Sequence, residues 1–106
     1  MPKYLFTGGY TAEGGRGVLA EGGTSRIAVV DKLCTSVGGT LESFHFAFGS
    51  DDYFIIANLP DNAAAAAVAL TVSSSGAVNN RTVVLLTPAE VDAATKLSPS
   101  YRPPGR

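Results

Sequence analysis

TLESFHFAFGSDDYFIIANLP, residues 40–60, holds two apolar runs separated by a short Gly/Ser/Asp cluster. Phe44, Phe46 and Phe48 alternate with Ser43, His45 and Ala47, and after Gly49-Ser50-Asp51-Asp52 the run resumes at Tyr53, Phe54, Ile55 and Ile56. Aromatic and β-branched runs on either side of a turn cluster predict a β-hairpin. With Ser50 and Asp51 as the loop, Phe48 faces Tyr53, Phe46 faces Ile55 and Phe44 faces Ala57. Side chains alternate along a strand, so these six share one face. Ser43, His45, Ala47, Phe54, Ile56 and Asn58 fall on the other. Both faces are too apolar for water. Helices of the same chain are therefore expected on one face and a second copy of the chain on the other.

Upstream, Lys3 to Tyr10 reads as a first strand, with Tyr4 and Phe6 on one side and Leu5 and Thr7 on the other. Tyr10 joins Tyr4 and Phe6 if Gly8 and Gly9 leave the register unbroken. Each glycine in the next segment weakens a helix by about 1 kcal/mol relative to alanine. The spacing there predicts only a short helix near Arg16 to Glu21, broken at Gly22-Gly23. A second helix, capped by Thr24 or Ser25, carries Ile27, Val30, Leu33, Cys34 and Val37 as one stripe and ends at a left-handed Gly38. Downstream, Asp61 is expected to cap a helix over Ala63 to Val72, so rich in Ala, Val and Leu that it should be buried on more than one side. Ala77 to Leu86 forms a last strand, with Val78, Thr82, Val84 and Leu86 on one face and Arg81, Val83 and Leu85 on the other. Thr87-Pro88-Ala89-Glu90 is a capping box that opens a short helix to about Lys96. The order strand, helix, strand, strand, helix, strand predicts an α+β fold of the ferredoxin-like βαββαβ kind, with helices on one face of a four-stranded antiparallel sheet. Residues 1–97 form one domain, and the proline-rich segment 98–106 is expected to be a flexible tail.

A chain of 106 residues is one domain with enough length for a core. Eight basic and nine acidic residues, with no Lys/Arg-rich run, lack the footprint of a nucleic-acid binder. One cysteine and one histidine exclude an internal disulfide and the usual zinc sets, and no cofactor is expected. The opening MPKYLFTGGY has no charged-then-apolar leader, and the Ala63–Val72 run is about half the length a bilayer needs. The expectation is a cytoplasmic protein with no membrane partner.

Several short motifs touch on chemistry. Gly15-Arg16-Gly17-Val18-Leu19-Ala20 has the G-x-G-x-x-A spacing, but no acidic residue follows at the end of a second parallel strand, as a dinucleotide site requires. Gly22-Gly23-Thr24-Ser25-Arg26 combines a helix N-terminus with a cation, an arrangement that can hold a carboxylate or phosphate; ordinary capping explains the same residues. His45, the one histidine, is the residue type most often used as a general base, though no orienting carboxylate stands nearby in sequence. Cys34 lies on an apolar stripe and reads as a small hydrophobe. Asp51 and Asp52 are adjacent and are explained by turn chemistry.

The segments KYLFTGGYT, GVLAEGGTSR, LESFHFAFG, IANLPDNAAAAAVAL and LLTPAEV together resemble the GYD domain family, small bacterial proteins related to the dimeric α/β-barrel superfamily. The resemblance runs from about Lys3 to Ala94. It implies a ferredoxin-like monomer whose sheet packs on another sheet as a barrel. The family's Gly-x-Tyr-Asp turn reads Gly49-Ser50-Asp51-Asp52 here, so any role of that tyrosine is lost or passes to Tyr53. The expectation is a homo-oligomeric protein that binds a small apolar or aromatic anionic metabolite between helices and sheet, near Tyr10, Arg26 and His45, with Arg26 on the anionic group. The alternative is a cofactor-independent oxygenase or isomerase acting on a small carbonyl compound, with His45 as base and Arg26 stabilising an enolate.

Overall fold

The central hairpin forms, and the chain is built around it. A computed structural model describes residues 1–106, with β1 (Lys3–Tyr10), α1 (Ala12–Glu21), α2 (Thr24–Ser36), β2 (Thr40–Phe46), β3 (Tyr53–Asn58), α3 (Asn62–Ser74), β4 (Val78–Leu85) and α4 (Pro88–Thr95). The strands form one antiparallel sheet in the order β2-β3-β1-β4. This is the ferredoxin-like α+β arrangement, with β1 between β3 and β4.

The hairpin register differs from the simplest reading by two residues. Phe46 pairs with Tyr53 and Phe44 with Ile55, while Leu41 pairs with Ala57 beyond a bulge at Glu42. The turn is longer because its acidic residues bond elsewhere. Ala47 N–H donates to the Asp52 carbonyl, and Asp52 N–H donates 2.7 Å to the Gly8 carbonyl on β1. Phe48 is left fully exposed on the loop. A slip of two preserves parity, so the assignment of faces along the strands survives.

Tyr4, Phe6, Tyr53, Ile55 and Ala57 are buried on one face under Cys34 of α2 and Ala65 and Val68 of α3, with Leu59 completing the cluster. The Tyr4 hydroxyl stays satisfied by donating 2.7 Å to Asn62 Oδ1. The first helix is longer than the glycines suggest and starts at Ala12. Thr11 caps it, accepting from Gly14 N–H, and Thr11 N–H donates 3.0 Å to the Ala77 carbonyl. Gly14 lies so close to that carbonyl that an added Cβ would overlap its oxygen. Gly22, at φ +80°, makes the break. Neither Thr24 nor Ser25 caps α2. Gly23 is its N-cap, without a side-chain bond. Val30, Leu33, Cys34 and Val37 face the core as the stripe predicts, but Ile27 is half-exposed.

Asp61 caps α3, accepting 2.8 Å from Ala64 N–H. This helix is buried along one side only. Ala63, Ala66 and Ala67 are exposed and Leu70 is 71% exposed. Within one chain the opposite sheet face carries Leu5, Ile56, Phe54, Val83 and Leu85 with no element over them, flanked by the ion pairs Lys3–Glu42 and Arg81–Asp51. The Thr87–Glu90 capping box opens α4 as expected, yet no residue of α4 is buried. No helix is long and apolar enough to cross a membrane.

Candidate functional site

A cavity of about 70 Å³ lies between the helices and the buried sheet face. Val30, Leu33 and Cys34 line it from α2 and Val68 and Val72 from α3, while Phe6, Tyr10, Tyr53 and Ile55 line it from the sheet. The polar groups are few: Arg26 of α2, the Tyr10 and Tyr53 hydroxyls, and Asn80 of β4. Such sparse polar chemistry in an apolar hollow orients a ligand rather than solvating it.

Strand parity places the tyrosines. The β1 ladder runs unbroken through Gly8 and Gly9, so Tyr10 stays on the face of Tyr4 and Phe6. The Tyr10 and Tyr53 rings are 5.6 Å apart and tilted by 51°. Tyr53 donates 2.6 Å to Asn80 Oδ1. Gly8 has no room for a side chain, because a Cβ would overlap the Asn79 carbonyl oxygen and stand 3.0 Å from the Tyr53 hydroxyl. The turn acids act as fasteners. Asp52 Oδ2 accepts 2.9 Å from Tyr10 N–H, and Asp51 Oδ2 accepts 3.0 Å from the Thr7 hydroxyl and pairs with Arg81. Asp51 thus ties the β2–β3 loop to β1 and β4.

The electrostatics make this a site of neutral donors beside one cation. Burial pushes the Tyr53 hydroxyl up to about 12, with Tyr10, Asp51 and Asp52 adding to the rise. Burial also raises Tyr10; the Arg26 guanidinium beside it pulls the other way by charge and hydrogen bonding, and Asp52 adds a smaller upward push. Burial, reinforced by Asp31, raises the Cys34 thiol, which disfavours a thiolate nucleophile. Arg26 has no carboxylate partner, since the two ion pairs of the chain are Lys3–Glu42 and Arg81–Asp51.

Of the three residues singled out from sequence, the fold brings Tyr10 and Arg26 to this cavity and places His45 elsewhere. His45 pairs with Phe54, so it projects from the opposite face to its neighbours Phe44 and Phe46, and it is exposed. One sheet thickness separates His45 from Arg26. Asn80 joins the site without having been singled out, and Tyr53, named in the sequence only as a stand-in for the family's turn tyrosine, joins it too. The signal was there: Tyr53 shares parity with Ile55, and Asn80 with Val78 and Thr82. Around the break before α2, the Phe46 ring stands 2.8 Å from where a Gly23 Cβ would be, so an aromatic ring lies against that helix start. A wider depression of about 540 Å³ beside it, bounded by Tyr10, Val18, Gly23, Phe46 and Phe48, opens to solvent. No three His, Cys, Asp or Glu side chains are grouped to hold a metal ion.

No curated protein and no solved structure matches the chain. The sequence pattern of the GYD domain matches residues 4–95, from the second residue of β1 to the last residue of α4. The chain belongs to the GYD domain family.

Proposed function

We propose that this protein is a small homo-oligomeric binding protein that takes a small apolar or aromatic anion into the cavity between its helices and sheet. The observation that carries the reading is Arg26, a cation with no acid partner, beside the Tyr10 hydroxyl at an otherwise apolar hollow. A carboxylate there accepts from the guanidinium and the phenol, as charge-assisted hydrogen bonds favour, while its hydrocarbon part lies against Val30, Val68 and Val72. The volume of about 70 Å³ admits a few carbon atoms as it stands, so an aromatic ring requires the lining side chains to swing. The raised pKa values of Tyr10 and Tyr53, which keep both hydroxyls protonated as donors, and the placement of His45 on the far face support binding over proton abstraction.

The test is titration with a series of short alkyl carboxylates and benzoate, followed by nuclear magnetic resonance of the Tyr10 and Tyr53 ring signals. Saturable binding that weakens at least tenfold in Arg26→Ala is expected, the size of one lost charge-assisted bond. Equal binding by Arg26→Ala and the parent protein, or none by either across the series, would overturn the proposal.

A further inference from the structure

We infer that α4 and the segment after it, residues 88–106, form an arm that packs on a second copy of the chain. The inference rests on the homo-oligomeric reading above and adds which segment of the chain makes the contact. An isolated helix shorter than about 12–15 residues is marginal in water. α4 has eight residues, and none is buried. The family match nevertheless runs to its last residue, so α4 belongs to the domain and is not an appended tail. The arm carries Val91, Leu97 at 71% exposure and Tyr101 at 76%, with Leu86 exposed at its root. Its reach shows in the dimensions of the whole chain: 56 × 34 × 22 Å, with a radius of gyration of 16.8 Å, against about 13 Å for a compact domain of 100 residues.

Two arguments name the receiver as a second copy. The first is continuity. The arm leaves from β4, whose Val83 and Leu85 belong to the uncovered sheet face, so pairing through that face puts the root of each arm at the contact. The second is area. Four strands about 4.8 Å apart, of eight residues or fewer at about 3.3 Å each, give a flat footprint of roughly 500 Å², a small platform for a pair that buries about 800 Å² of accessible surface per partner. A reciprocal exchange of arms enlarges that contact and closes under two-fold symmetry.

The test uses the whole 106-residue chain. Isotopically light and heavy protein are mixed and treated with an amine-reactive cross-linker, whose only side-chain targets are Lys3, Lys32 and Lys96. Links from Lys96 of one isotope to Lys3 or Lys32 of the other are expected. Val91→Asp combined with Leu97→Asp tests the energetics. Both side chains are exposed in the single chain, so the fold is retained, as circular dichroism checks, while the dissociation constant from sedimentation rises at least tenfold. Lys96 links confined to one chain, or an unchanged dissociation constant, would overturn the arm and leave sheet-to-sheet assembly standing. A monomeric parent protein would overturn both.

Discussion

Tyr53 is the residue on which the cavity turns, because it joins β3 to β4 through Asn80 and packs at a tilt against Tyr10. Tyr53→Phe keeps the ring and removes the hydroxyl, leaving Asn80 without its donor. A loss of about 1 kcal/mol in denaturant unfolding is expected. The same hydroxyl sets a pH dependence. An unfolded tyrosine loses its proton near 10, whereas the folded chain holds that of Tyr53 to about 12 and raises Tyr10 in the same direction. The folded state therefore binds more protons than the unfolded one in this window, and stability falls with rising pH. The contribution is complete below about pH 10 and is lost as the pH climbs toward 12. Unfolding midpoints measured across that range should decline, and less steeply in Tyr53→Phe. Gly8 is the complementary case. Gly8→Ala forces a methyl group into the Asn79 carbonyl within the β1–β4 strand pair, where the obstacle is backbone and not the end of a flexible side chain. Its cost is expected to be about 1–3 kcal/mol, the range of overpacked cores.

At the scale of elements, two helix caps of the same chemistry should behave differently because of what their helices touch. Asp61 starts α3, which packs Ala65 and Val68 into the core. Asp61→Ala should cost about 1 kcal/mol of global stability. Thr87 starts α4, which touches no core residue, so Thr87→Ala should leave the thermal midpoint unchanged in dilute protein while lowering helical signal. Calorimetry at low concentration separates the two. Both caps were readable in the sequence, since Asp before an alanine run and Thr-Pro-Ala-Glu are local signals. The hairpin was half readable. Alternation fixed which side chains share a face, but the turn length depends on Asp51 and Asp52 bonding to β1 and β4, partners thirty or more residues away. No local rule carries that information. Thr11 was missed as a cap for a similar reason, because its backbone is anchored by Ala77. The exposure of Leu70 marks the same boundary, since composition reports that α3 is apolar and says nothing of which of its sides the fold buries.

For the molecule as a whole, the site was readable where parity decided it and unreadable where proximity did. Tyr10 and Tyr53 follow from alternation, and Arg26 from a helix that must cross the sheet. His45 follows from the same alternation to the far face, and parity alone excludes it from the cavity. That far face is where the proposed assembly is decided. Leu5, Phe54, Ile56, Val83 and Leu85 form an apolar strip with charges only at the ion pairs Lys3–Glu42 and Arg81–Asp51. Covering it contributes at about 25 cal/mol per Å², a force that salt does not screen. An assembly held by opposite charges instead weakens once the screening length falls from about 10 Å at 0.1 M to about 3 Å at 1 M. Light scattering at micromolar concentration should therefore give a dimer or larger that persists from low to high salt. Phe54→Lys places an ammonium at the centre of the strip, where pairing would bury two unpaired charges at close range. Its ring is already 40% exposed, so the single chain should fold as before. The expected result is a folded monomer at concentrations where the parent protein is paired. A parent protein that is monomeric throughout, or a Phe54→Lys variant that pairs as tightly as the parent, places the apolar strip outside the contact.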